Sequence, residues 1–125
     1  MQNKYLIKAK ENSKAADLLA QNNMYNAATN RLYYSVFQKV LTILDLNNIK
    51  VVKTEESKGS HIDTAAALGD SSIIGNDMLT FISELHFIRD LRHKSDYIKV
   101  VISKDDYANI DNKATIVNHI LDKHV

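Results

Sequence analysis

Five side chains within one short span could handle a phosphate group: Arg89, Arg92, His93, Asp96 and Tyr97, at the end of the stretch LTFISELHFIRDLRHKSDY (residues 79–97). A guanidinium holds an oxyanion or phosphate through paired N–H groups, and an imidazole passes protons near neutral pH. A carboxylate beside several Arg groups stays ionised, so Asp96 reads as an orienting partner for an Arg rather than a base. The same residues have a plainer use. Ion pairs one turn apart are commonplace on helices and contribute only about 0.3–0.5 kcal/mol when exposed. Arg89 or Arg92 paired with Asp96 or Glu84 would then merely pin the helix end, with Tyr97 a hydrogen-bonded core tyrosine.

The spacing predicts that a helix from about Asn76 to Tyr97 positions these groups. Steps of three and four residues return Met78, Ile82, Leu85, Arg89, His93 and Asp96 to one face, apolar in its early turns and charged in its later ones. Buried charge is costly unless paired. Either the helix runs out into solvent there, or it delivers a polar cluster to a cleft. A second predicted helix, about Met24 to Leu46, has the strongest pattern in the chain, with Tyr33, Phe37, Val40, Leu41 and Leu44 in a wide apolar stripe. Asn30 falls inside that stripe, and Arg31 sits at its edge. Antiparallel pairing brings the start of this helix to the end of the helix closing at Tyr97. Arg31, Asn30 and Tyr34 are then expected to face Arg89, His93 and Asp96 across a groove.

The remaining elements complete a helical frame. The chain has no proline and three glycines among 125 residues, which favours an all-α fold in a single domain, residues 1–125. A first helix is expected over about Lys4–Gln21, with Gln21-Asn22-Asn23 as a tight turn. Lys50 to Lys53 read as a brief extended piece and Thr54 to Gly59 as an exposed polar segment. Ser60 is the expected N-cap of a short helix, His61 to Leu68, with Gly69 as its stop. Ile73 and Ile74 are expected to tuck under the next connection. Val100 to Ile102 form an extended link, and Ser103 with Asp106 predicts a capping box opening a last helix to about Lys123.

Composition narrows the function classes. Hydrophobic residues at 45% and charged residues at 25% fit a globular protein, and a formal charge of +1 gives no bulk grip on nucleic acid. Cysteine is absent, which excludes disulfides and thiolate zinc sites. No His/Asp/Glu set has the spacing of a metal site, no glycine loop cradles phosphate, and no cofactor is expected. The start of the chain lacks a signal-peptide core and no apolar run is long enough to span a bilayer, so the expectation is a cytoplasmic protein without a membrane partner.

Two segments carry a family likeness: Tyr25-Asn26-Ala27-Ala28-Thr29-Asn30-Arg31-Leu32-Tyr33-Tyr34-Ser35-Val36-Phe37, and Arg89-Asp90-Leu91-Arg92-His93-Lys94-Ser95-Asp96-Tyr97. Together they resemble the HEPN family of small helical bundles. The first is similar to its small-residue, Arg, Tyr-Tyr, Phe signature. The second is similar to its Arg-rich segment closing in Ala-Asp-Tyr, with Ser95 in place of Ala. Ser60-His61 also fits a Ser-His or Lys-His of many members. The resemblance implies an up-and-down bundle of four to five helices that commonly dimerises, encoded in toxin–antitoxin or phage-defence systems, often beside a nucleotidyltransferase. It also implies, for many members, a metal-independent ribonuclease marked by an Arg and a His with four to six residues between them. Here Arg89 and His93 have only three residues between them, so that motif is not intact as the family writes it.

On this resemblance Arg92 or Arg89 would stabilise phosphate charge and His93 would be the acid–base group, with Arg31, Tyr34, Asp96 and Tyr97 as binding residues for RNA or a nucleotide. The alternative is a non-catalytic, antitoxin-like interaction subunit of a nucleotidyltransferase or other effector. His61 reads first as a capping or surface residue and second as a nucleotide contact. Phe87, Leu91 and Ile98 give the fourth helix a second apolar side, which points to a sandwiched helix or to a homodimer, and the homodimer is favoured.

Overall fold

The computed structural model describes residues 3–51, 59–97 and 99–125. Among these, five α-helices and one 3-10 turn follow one another: α1 (Lys4–Gln21), α2 (Tyr25–Leu46), α3 (Ser60–Asp70), the 3-10 turn (Gly75–Asp77), α4 (Met78–Tyr97) and α5 (Lys104–Leu121). No strand occurs among the described residues, so the protein is an all-α helical bundle. No helix among them is long and apolar enough to cross a membrane.

Local chemistry sets the helix ends. The Asn3 carboxamide oxygen accepts from the Tyr5 and Leu6 N–H groups and opens α1. Asn23 takes a left-handed φ of 60°, which Asn tolerates better than most residues, and turns the chain into α2. The Ser103 hydroxyl accepts from the Asp106 N–H at 3.0 Å while the Asp106 carboxylate accepts from the Ser103 N–H at 3.1 Å, the capping box expected for α5.

The helix α2 is the central post, touching α1, α3, α4 and α5. That explains why its buried set, from Ala28 and Leu32 through Val36, Val40 and Ile43, exceeds one stripe. Tyr33, Val36, Val40 and Ile43 meet Leu68 of α3, Phe81 and Ile88 of α4, and Ile110, Val117 and Leu121 of α5 in one core. On the opposite side α1 presents Ala9 and Ala16, small enough to let the two backbones approach.

Several local expectations need correction. Gly69 does not stop α3; the helix continues to Asp70. A Cβ on Gly69 would lie 3.0 Å from Met78 Cε, so the glycine makes room for α4 rather than ending a helix. Gly59, at a φ of 115°, holds the N-cap position one residue before Ser60. Ile74 is buried and Ile73 packs beside the core, as expected. Val52, Lys53, the segment 54–58 and Ile98 lie outside the described residues.

The phase of α4 also differs from its expected face. Its buried residues are Phe81, Leu85, Ile88 and Arg92. At about 100° per residue, this line is rotated by about 70° from the face drawn through Met78, Ile82, Leu85, Arg89, His93 and Asp96. Arg92 therefore points inward, and His93 is exposed. Part of the second apolar side is covered within the chain. Helix α4 lies against both α2 and α5, Leu91 packs beside the core, and Lys113 of α5 sits 5.4 Å from the Phe87 ring centroid.

Past Tyr97 the chain returns along the start of α2. The Asn26 side chain donates to the Val100 carbonyl at 2.8 Å and accepts from the Ile102 N–H at 2.8 Å. One carboxamide thus satisfies both backbone groups, as a neighbouring strand would.

Candidate functional site

The groove between α2 and the second half of α4 gathers the polar groups. Asn30, Tyr33, Tyr34 and Phe37 fall on one side of α2 at helical spacing, and Arg89, Arg92 and Asp96 line the facing turns of α4. Arg92 is the only charged residue in the core among the described residues and keeps 7% of its surface exposed. Its guanidinium carbon lies 4.9 Å from the Tyr33 ring centroid and 5.6 Å from that of Tyr34, within cation–π range. Its Nη1 is 3.5 Å from Asp96 Oδ2, a loose ion pair. Asn30 donates to that same oxygen at 2.9 Å.

Beside this pair stands a second polar contact. The Tyr33 hydroxyl and His61 Nδ1 are 2.6 Å apart, joining α2 to the first turn of α3. The His61 ring lies nearly parallel to Phe37, centroids 4.3 Å apart, and Tyr34 meets it edge-on at 5.8 Å. Phe37, His61, Leu85, His86 and Arg89 are among the residues lining a cavity of about 10 Å³, roughly the room of one water or one phosphoryl oxygen.

Electrostatics make the groove cationic. Burial pushes the Tyr33 phenol up to about 12 against the opposing pull of Arg92 and Arg89, so it stays protonated. Burial, then Arg92, then Arg89 hold the His61 imidazole below its ordinary value. With both neutral, two guanidiniums and the Asp96 carboxylate leave a surplus of one positive charge. The Arg89 Nε and Arg92 Nε atoms are buried without a hydrogen-bond partner among the described residues. A buried donor left unpaired costs about 1–3 kcal/mol. Such donors beside a cationic groove suit an anion that brings acceptor oxygens.

The depressed imidazole has a consequence for folding. The unfolded chain binds this proton more readily than the folded one, so stability is lost as pH falls below about 6.5 and levels off beneath the folded value. The difference between wild type and His61→Gln in urea midpoint from about pH 8 to about pH 5 isolates it. The expected slope is a fraction of about 1.4 kcal/mol per pH unit, since the ring is partly solvent-screened. Parallel curves for the two proteins would reject this account of His61.

The expected site residues separate into two groups. Arg89, Arg92, Asp96 and Tyr34 come together, with Asn30. Arg31 turns to α1, where Nη1 lies 3.3 Å from Asn12 Oδ1. His93 is exposed and packs on Tyr97, ring centroids 5.0 Å apart, and Tyr97 keeps 71% exposure. His61, read first as a capping or surface residue, and Tyr33, read as a core aromatic and buried as such, join the first group. His61, Ala65 and Leu68 stand four and three positions apart, the spacing of an inward helix face, and that signal marks His61 as facing α2 rather than solvent. Among the described residues no group of three or more His, Asp or Glu could hold a metal ion. No family model matches the chain, and no curated protein matches it.

Proposed function

We propose that the chain is a HEPN-type protein of a prokaryotic toxin–antitoxin or phage-defence system, and that it binds RNA or a nucleotide through phosphate at the α2–α4 groove. The observation that carries this reading is the pair of unpartnered, buried Nε donors of Arg89 and Arg92, with Arg89 lining a cavity sized for one oxygen atom. Guanidiniums are the usual protein ligands of phosphate because their planar N–H edges match its oxygens. Arg89 and Arg92 would hold the phosphate, Tyr34 would brace Arg92 from the side, and Asp96 would orient it. Metal-independent RNA cleavage is the enzymatic form of this reading, with the guanidiniums stabilising charge that develops on phosphorus oxygens.

One observation favours the non-catalytic alternative. His93, the family-like acid–base residue, packs on Tyr97 at the surface instead of joining Arg89 and Arg92. Tyr97 and Leu79 are both exposed on that outer side of α4, which suits contact with a second copy or with a nucleotidyltransferase-type partner.

One set of assays separates the readings. Purified protein, Arg92→Ala and His93→Ala are incubated with labelled RNA in EDTA, and binding is followed by fluorescence anisotropy. The expected result is RNA binding that Arg92→Ala weakens by tenfold or more. Cleavage that survives EDTA and is lost in Arg92→Ala supports the ribonuclease. Binding without cleavage supports the interaction subunit, and no binding at any protein concentration rejects the phosphate site.

A further inference from the structure

We propose that His61 is the residue that takes up a proton when the phosphate-bearing ligand enters this groove, presenting Nε2 while Tyr33 holds Nδ1. The inference rests on the reading of Arg89 and Arg92 as phosphate ligands and assigns the proton to a histidine outside the Arg-rich segment.

Geometry carries the assignment. The Tyr33 hydroxyl, 2.6 Å away, occupies Nδ1 in either tautomer, so Nε2 is the nitrogen left to a ligand. The near-parallel Phe37 ring on one face and the Tyr34 edge restrict rotation of the imidazole. The same cavity is lined by His61 and Arg89, so an oxygen held by the guanidinium comes within reach of the imidazole. His93 lacks all three features. It is exposed, and its ring contact is Tyr97.

The surrounding charges tell what the proton would do. From α2, Tyr33 and Tyr34 face His61. From α4, Arg89, Arg92 and His86 do, with Asp96 tied to Arg92 and Asn30. On α3 itself Asp63, two positions on, falls on the opposite side of the helix. In the free protein two guanidiniums act on the ring, and their charge and burial keep it neutral. A bound phosphate offsets that positive field, and the imidazole takes a proton from solvent as the anion enters. Ligand affinity then rises as pH falls, by up to about tenfold per pH unit for uptake of one proton.

The test uses the whole chain with histidine labelled at Cε1 for NMR, and a short 2′-O-methyl oligoribonucleotide that lacks the hydroxyl needed for self-cleavage. His61→Gln assigns one of the five histidine signals. The expected result is a His61 signal that titrates below an ordinary histidine in free protein and moves upward with saturating oligonucleotide, while His93 stays put. Anisotropy from about pH 5.5 to about pH 8 should show tighter binding at the acid end. His61→Gln should flatten that dependence. Oligonucleotide binding that shifts the Arg89 and Arg92 Nε–H signals and leaves His61 unmoved overturns the proton assignment and spares the phosphate reading. No binding at any pH overturns both.

Discussion

Arg92→Met is expected to fold about as well as wild type and to bind RNA about tenfold to a hundredfold more weakly. The two halves of this expectation have different causes. Arg92 is buried at a position where the α4 pattern calls for an apolar residue, its Nε is unpartnered, and its ion pair spans 3.5 Å. Desolvating a charge costs several kcal/mol, and replacing a buried ion pair by apolar side chains of similar volume is often neutral or stabilising. Met matches the length of the arginine stem and can pack between the Tyr33 and Tyr34 rings. What is lost is the cation–π contact, worth about 0.5–2 kcal/mol, against a recovered desolvation cost of similar size. Asp96 keeps its bond from Asn30 and 25% side-chain exposure, so it is not stranded. Binding, by contrast, loses a charge-assisted contact worth about 1.5–3 kcal/mol. Urea midpoints and anisotropy on the same preparations check both halves. A variant that unfolds would make Arg92 a structural residue, and one that binds RNA normally would take it out of the site.

Phe81→Ala is expected to cost about 3–5 kcal/mol, a large part of the stability of a domain this size. Phe81 is fully buried at the centre of the core, against α2 and α5. Removing its ring leaves a hole that rigid helices fill only in part. Phe87 is the internal control. It keeps 36% exposure and meets Lys113, so Phe87→Ala should cost about 1 kcal/mol or less. Chemical denaturation of the two variants reads the rotation of α4 directly. Equal losses would mean that the helix buries a different face.

The same helix shows where the sequence was readable and where it was not. The bounds of α1, α2 and α5 follow from Asn3, the Asn22-Asn23 turn and the Ser103–Asp106 box, all interactions within a few residues. The antiparallel meeting of α2 and α4 was legible too, and it brings Asn30 to Asp96 and Tyr34 to Arg92. The rotation of α4 was not. A face traced through Met78, Ile82 and His93 passes over Phe81, and a buried Arg92 disguises the apolar line because its charge argues for solvent. An error of about two-thirds of a residue step in phase sends His93 outward and Arg92 in. Arg31 is displaced for the same reason, lying about 100° around α2 from Asn30 and toward α1. His61 was hidden differently. Its partner Tyr33 is 28 residues away on another helix, and no local pattern joins them.

Asn26 and Asn30 are one turn apart on α2, and each grips a different part of the polypeptide beyond the middle of α4. Asn30 holds the Asp96 carboxylate, and Asn26 holds both backbone groups of the return at Val100 and Ile102. They work as two rivets in one plate, so the tail of α4 and the thread leading to Ser103 are fastened to the same rigid rod. Because Asn30 keeps its hold on Asp96 when Arg92 lets go, the end of the helix and the lead into α5 stay anchored while the groove changes its occupant.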